Sequence, residues 1–101
     1  MKNFRTYELA IEFYKTCQGL KLSSIARDQF DRALFSIPLN LAEGAAKPTR
    51  RDRKKFYATS LGSLREVQLI LDLCGYTVQY QASDPVAACL YRLIQNPGGS
   101  P

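Results

Sequence analysis

The sequence predicts an all-α fold, an antiparallel up-and-down bundle of four helices. Apolar residues recur at helical spacing in four stretches, period-2 alternation is scarce, and the connections between the stretches are short. The 101 residues, of which 46% are hydrophobic and 23% charged, suit one globular domain. We expect the bundle over residues 1–96 and a flexible, Pro- and Gly-rich tail over residues 97–101.

The first two helices are predicted over residues 4–20 and 24–46. The first carries these apolar residues at helical spacing: Phe4, Tyr7, Ile11 and Tyr14. The core face of the second contains Phe30, Leu34, Ile37 and Leu41. Pro38 lies inside this pattern, and we expect a kink near it because proline removes one backbone hydrogen bond.

The third helix is predicted over residues 50–74. Thr49 followed by Asp52 resembles a capping box, and Gly75 is a natural stop. When residues are placed at about 100° per step, one face of this helix forms a core stripe. The stripe contains Phe56, Ser60, Leu64, Val67, Leu71 and Cys74.

The fourth helix is predicted over residues 85–95, with Asp84 as its N-cap and Pro85 as its first residue. Its apolar side contains Val86, Leu90, Leu93 and Ile94. The preceding connection, residues 75–83, is the longest, so an earlier start of this helix stays open.

The net charge of +5 is concentrated in residues 47–55. The segment has one acid, Asp52, and six basic residues: Lys47, Arg50, Arg51, Arg53, Lys54 and Lys55. The rest of the chain has eight basic and eight acidic residues. Arg65 shares the helix face opposite the core stripe with part of this run. Such a patch attracts the phosphates of RNA or DNA, whereas the alternative is a solvated helix start that favours solubility.

The aromatic residues predict little readout of bases. Tyr57 is the only one beside the basic run that could face outward, and the others do not form a stacking sheet. Nucleic acid would therefore be bound through its backbone.

The second half of the third helix is apolar nearly all round. Leu69 and Leu73 lie off the core stripe, which favours a subunit interface. The alternative is that helix four and residues 76–82 cover them.

Gly62 costs helix stability, and we expect it to permit the close approach of a neighbouring helix. Asn40 and Glu43 are expected to be partly buried, with Arg32, Arg65 or a neighbouring subunit as the partner of the carboxylate.

The composition argues against catalysis. The chain has no His, so the commonest general base and metal ligand are missing. The three cysteines, Cys17, Cys74 and Cys89, are too widely spaced for a zinc site, and we expect small buried side chains in a reducing cytoplasm. No run of about 18 apolar residues occurs. We expect no enzyme activity, metal, cofactor, small-molecule substrate or membrane span.

Two segments carry a family resemblance. Residues 29–44 contain the run Ser-Ile-Pro-Leu-Asn-Leu-Ala-Glu-Gly, and residues 56–76 contain Gly62-Ser63, Glu66 and the terminal Gly-Tyr pair. Together they resemble the four-helix-bundle family of the 23S rRNA intervening-sequence proteins, which includes the accessory variability proteins of diversity-generating retroelements. The residues that we assign to the structural motif are Pro38, Asn40, Glu43, Gly44 and Gly62.

The resemblance implies a ring-shaped homopentamer without known catalysis. For the retroelement branch it implies a basic assembly that binds nucleic acid and a partner reverse transcriptase. Our hypothesis is therefore a non-enzymatic, cytoplasmic, oligomeric bundle that binds RNA or DNA backbone. The alternative is a protein–protein interaction scaffold of the intervening-sequence type with no direct nucleic-acid role.

Overall fold

The computed structural model describes residues 4–101 and is all-α, as the sequence predicts. Its helices are α1 (Arg5–Thr16), α2 (Ser24–Ala45), α3 (Arg50–Leu73) and α4 (Thr77–Gln95). Residues 4–101 contain no β-strand, only an isolated bridge between Thr49 and Ser100. The fold measures 44 × 21 × 19 Å.

Neighbouring helices run antiparallel. Between α2 and α3, Ser63 donates to Ser36 and Gln29 donates to Glu66, so the residue number rises on one helix as it falls on the other. Each helix packs against its sequence neighbour, and α4 closes the bundle against α1. The up-and-down four-helix architecture is therefore confirmed.

The local signals at the two ends of α3 are also confirmed. The Thr49 hydroxyl accepts a hydrogen bond from the Asp52 N–H at 3.2 Å, as an N-cap residue does. Gly75 has φ +77°, and the Tyr76 N–H donates to the Leu71 carbonyl at 2.9 Å. This is the Schellman arrangement, which requires a residue with positive φ.

The predicted core face of α2 is buried, whereas that of α1 is rotated. The four apolar residues predicted for α1 are only half-buried, and its most buried residues are Thr6, Ala10, Phe13 and Cys17. Three of them, Tyr7, Ile11 and Tyr14, instead line a groove between α1 and α2, because the core lies toward α4 as well as α2.

The predicted stripe on α3 is wrong at both ends. Phe56 is half-buried and Cys74 is exposed, whereas Tyr57 and Gln68 are buried. Tyr57 is one residue, and so about 100°, away from Phe56 around the helix. The packing of α2 against α3 selects Tyr57: its ring lies where a Cβ on Gly44 would be 2.8 Å away.

Helix α4 begins at Thr77, so the prediction that Asp84 caps it and Pro85 starts it is wrong. The Schellman turn at Gly75 reverses the chain at once, and the following residues enter the helix directly. Pro85 in the helix interior leaves the Gln81 carbonyl without its N–H donor. Both residues are exposed, so water can bind that carbonyl.

The tail segment, residues 97–101, is the segment that the sequence predicts to be flexible. In the structure Pro97 is buried, and Ser100 is hydrogen-bonded to Pro48 and Arg50 at the start of α3. These contacts join residues about fifty positions apart, which helical periodicity does not report.

Candidate nucleic-acid interface

The basic residues predicted to bind nucleic acid lie at the α2–α3 corner and on the first turns of α3. We call the six of them the basic surface: Lys47, Arg50, Arg51, Arg53, Lys54 and Lys55. Four are exposed, whereas Lys47 and Arg53 are half-buried. The structure therefore places the predicted run in one region, with Lys47 in the α2–α3 corner and the other five cations at the start of α3.

The location of these cations opposes the stability of α3. The N-terminus of a helix carries a partial positive charge, so each cation there costs about 0.3–1 kcal/mol instead of stabilising the helix. Only Asp52 supplies an acid in this turn. The cations and the helix dipole therefore add to one positive field, and such a field attracts anions.

Two of the cations are held by local contacts. The Arg53 Nε donates to the Lys47 carbonyl at 2.7 Å, which ties the first turn of α3 to the preceding corner. The Lys47 ammonium lies 5.0 Å from the centre of the Phe56 ring, within the range of a cation–π contact. The half-buried Phe56 ring thus packs beneath the Lys47 ammonium and helps to fix its position.

Asp52 is the one acid within the segment of the basic surface, and no carboxylate forms an ion pair with that surface in the part of the chain that the structure describes. The two ion pairs found there lie within α2, where Arg27 pairs with Asp31 at 2.6 Å and Arg32 pairs with Asp28 at 2.7 Å. In both pairs the hydrogen bond that the guanidinium donates to the aspartate raises the pKa of the guanidinium. The positive charge of the basic surface remains available to a partner.

Arg65 lies apart from the basic surface. It is ten residues beyond Lys55, about 15 Å along the helix axis. Its guanidinium donates to the Gln68 side-chain carbonyl at 2.9 Å. Arg65 is exposed, so it extends the positive charge along α3 without joining the cluster.

The prediction that Tyr57 could face outward is wrong. Its side chain is 2% exposed and packs between Gly44 and the Phe4 ring, whose centre is 6.3 Å away. Burial raises the pKa of the Tyr57 hydroxyl, although nearby Arg53 opposes this effect. The surface therefore has no exposed tyrosine at this point for a base to stack on.

The two leucines predicted as an interface are exposed. Leu69 is 58% and Leu73 is 77% exposed, so neither α4 nor residues 76–82 cover them. They lie one helical turn apart on the outer face of α3. A second apolar area, a groove of about 260 Å³ between α1 and α2, is lined by residues that include Tyr7, Tyr14 and Phe35.

The motif residues have different environments. Pro38 is buried inside a continuous α2, and Asn40 is half-buried, with its amide donating to the backbone and hydroxyl oxygens of Ser36. Gly44 is the glycine of closest packing, because a Cβ there would meet the Tyr57 ring.

Two motif residues are not packed within the chain: the expected partial burial of Glu43 is wrong, and no helix of this chain supplies the close approach expected at Gly62. Glu43 is exposed and has no ion-pair partner among residues 4–101, since Arg32 and Arg65 point to Asp28 and Gln68. Gly62 is exposed, and a Cβ there would meet nothing within 4 Å, so no helix of this chain approaches it closely. Both residues lie on outer helix faces.

The sequence analysis missed a buried polar network. Gln68 donates to Ser83 at 2.8 Å, and Ser60 donates to the Ile37 carbonyl at 2.8 Å. Ser60 was already in the predicted core stripe, whereas Gln68 lies off that stripe and Ser83 lies in the predicted connection over residues 75–83. These contacts join helices and leave no described buried side-chain polar atom unpaired.

The described residues contain no cluster of three or more potential metal ligands. None of the four helices is long and apolar enough to cross a bilayer.

Comparison with known proteins identifies a family for this chain but no individual relative. No curated protein and no solved structure matches the chain. The family model described as 23S rRNA-intervening sequence protein matches residues 4–93, which covers all four helices except the last two residues of α4. The chain therefore belongs to the 23S rRNA-intervening sequence protein family.

Proposed function

We propose that the protein is a non-enzymatic, cytoplasmic, oligomeric bundle that binds the backbone of RNA or DNA through its basic surface. The observation that carries this proposal is the exposure of Arg50, Arg51, Lys54 and Lys55 at the positive end of α3. A purely structural helix start would favour acids at these positions, because acids stabilise this end of a helix.

The mechanism is electrostatic. Lysine and arginine displace the cations condensed on phosphates, so affinity falls steeply as salt rises. With Tyr57 buried, contacts to the backbone dominate and discrimination between bases is weak. Arg65, about 15 Å along α3 from the basic surface, adds a separate positive charge.

Oligomerisation would multiply the charge. Leu69 and Leu73 are exposed apolar side chains, and Gly62 lies within about 40° of them around α3. A glycine that costs helix stability and faces open space supports the approach of another subunit at this face. The family resemblance makes a ring-shaped homopentamer the preferred assembly, in which repeated basic surfaces raise avidity.

For the retroelement branch, the proposed partners are nucleic acid and a reverse transcriptase. The three free cysteines are compatible with the reducing cytoplasm. The composition without histidine supports the absence of enzyme activity. No metal, cofactor or small-molecule substrate is part of this proposal.

The second candidate is a protein–protein interaction scaffold without a nucleic-acid role. The observation that favours it is the apolar groove between α1 and α2, where Phe35 is 56% exposed. In that function the leucines of α3 or this groove contact a protein, and the charges serve solubility.

A charge-reversal experiment distinguishes the two functions. The variant Arg51→Glu/Lys54→Glu/Lys55→Glu changes three exposed residues of the basic surface. Its control, Arg5→Glu/Lys15→Glu/Lys21→Glu, makes the same change in net charge at exposed positions elsewhere. Binding of labelled single-stranded RNA and duplex DNA is measured by fluorescence anisotropy over a salt series.

We expect wild type and control to bind, and the basic-surface variant to lose binding. For about four phosphate contacts, the logarithm of the duplex-DNA binding constant should fall with a slope near −4 against the logarithm of salt concentration. Salt-insensitive binding, or equal loss in both variants, would contradict the mechanism. No binding by wild type, together with a protein pull-down that survives the charge reversal, would favour the scaffold.

A further inference from the structure

The tail segment returns to the start of the basic surface. The Ser100 N–H and hydroxyl both donate to the Pro48 carbonyl, at 2.9 and 3.0 Å, and the Arg50 N–H donates to the Ser100 carbonyl at 2.8 Å. The backbone of the tail segment therefore bonds on both sides of Thr49, the N-cap of α3.

The tail segment also lies over Arg53. A Cβ on Gly99 would be 3.0 Å from the Arg53 Nε, and a Cβ on Gly98 would be 3.2 Å from its Nη1. Arg53 is thus confined on one side by its bond to the Lys47 carbonyl and on the other by the two glycines. It is one of the two cations of the basic surface that are not freely exposed.

We propose that the tail segment is an intramolecular cover that competes with nucleic-acid backbone for the first turn of the basic surface. The inference rests on the proposed function, because it concerns regulation of the same surface. When the tail segment is docked, Arg53 and the Arg50 N–H are engaged within the chain. When it is released, the Arg50 N–H becomes free and one side of the Arg53 guanidinium is uncovered, while the Arg53 Nε keeps its bond to the Lys47 carbonyl. Both groups lie beside cations that are exposed in either state.

The cover attenuates binding and does not abolish it. Arg51, Lys54 and Lys55 remain exposed while the tail segment is docked. The apparent affinity for a competing ligand equals its affinity for the released state multiplied by the fraction of molecules in that state. Three surface hydrogen bonds hold a segment only weakly, so release is expected to raise RNA affinity about threefold to tenfold.

Glycine geometry provides a specific way to release the segment. Gly99 has φ +85°, which residues with a side chain rarely adopt, and its Cβ would also lie 3.0 Å from the Pro48 carbonyl oxygen. Gly99→Ala should therefore undock the tail segment. Gly19→Ala is the matched control, since Gly19 has φ +77° but a Cβ there meets nothing within 4 Å.

A second variant acts on the hydrogen bonds themselves. Ser100→Pro removes the N–H and the hydroxyl that donate to the Pro48 carbonyl. Ser100 is exposed and lies outside the four helices, so we expect the bundle to fold as in wild type and this variant to be informative if Gly99→Ala folds poorly.

The test measures docking and binding separately on the 101-residue chain. Hydrogen exchange of the Arg50 amide, followed by nuclear magnetic resonance, reports docking, and anisotropy of a labelled oligouridylate reports binding. We expect faster exchange and about threefold to tenfold tighter binding in Gly99→Ala and Ser100→Pro, with neither change in Gly19→Ala.

Three results would overturn the proposal. Faster exchange with unchanged or weaker RNA binding means that the tail segment does not compete, while the nucleic-acid function stands. Unchanged exchange in both variants means that the segment does not cover the surface. Absence of RNA binding in wild type and in every variant removes the proposed function together with this inference.

Discussion

The side-chain amide of Gln68 in α3 donates to the hydroxyl of Ser83 in α4 at 2.8 Å, with both side chains buried. The same amide accepts from Arg65 through its oxygen, and the Ser83 hydroxyl in turn donates to the Tyr80 carbonyl. A polar chain thus runs from the outer face of α3 into the core and fixes the register of α4 against α3.

Ser83→Ala should destabilise the fold, because the buried Gln68 amide loses its acceptor. We expect a loss of about 1–3 kcal/mol in the free energy of unfolding, measured by urea denaturation. Adding Gln68→Leu should recover part of the loss, since both partners are then apolar. Losses that simply add in the double variant would mean that the two side chains do not interact.

The two helical glycines predict opposite effects of the same substitution. Gly44→Ala puts a Cβ 2.8 Å from the Tyr57 ring and 2.9 Å from the Phe56 Cβ, so we expect a destabilisation of about 1–3 kcal/mol. Gly62→Ala meets nothing within 4 Å and should stabilise the isolated chain by about 0.5–1 kcal/mol. Thermal and urea denaturation check both, and a neutral Gly44→Ala would refute the close packing.

Polar replacement of the exposed leucines should weaken self-association. Leu69→Gln/Leu73→Gln removes the apolar contact proposed for the outer face of α3, whereas folding should be kept because both side chains are already exposed. Val78→Gln, at a residue that is 71% exposed, is the control. Sedimentation velocity should show smaller species for the double variant alone. An unchanged distribution would place the interface elsewhere.

Cys17 predicts a loss of stability in alkali. Burial raises the pKa of its thiol from 9.0 to about 11. The unfolded chain then releases this proton at a lower pH than the folded chain does. The contribution of the Cys17 thiol to the free energy of unfolding is therefore fully present below pH 9.0 and is lost as the pH rises toward about 11.

The raised pKa of Tyr57 acts in the same direction, so the comparison must be made between variants. The free energy of unfolding of wild type should fall more steeply between pH 9.0 and about 11 than that of Cys17→Ala. Parallel curves for the two proteins would show that the buried thiol does not titrate with folding.

Exposed Cys74 should react with a thiol reagent in the native protein, while Cys17 should react only after unfolding.

The helices were predictable because their signals are local. The apolar spacing of α2 and the caps of α3 depend on residues within a few positions, so Thr49 and Gly75 marked the ends of α3 correctly. The basic surface was predictable for the same reason: six cations within nine consecutive residues lie close together in space whatever the rest of the fold does.

The choice of side chains that are buried in the core depends on contacts between residues far apart in sequence. The helical spacing placed Phe56 in the core stripe and Tyr57 outside it, whereas the close approach of Gly44 puts the Tyr57 ring in the core. The start of α4 at Thr77 likewise places Ser83 inside a helix, where it contacts Gln68 of α3, a residue 15 positions away in sequence.

By itself, the sequence determined that four amphipathic helices form and that the positive charge gathers at the start of the third. Both properties follow from side chains close together along the chain. Only the tertiary structure decided which helix faces remain uncovered and that Ser100 returns to Arg50, because those outcomes depend on the packing of segments far apart in sequence.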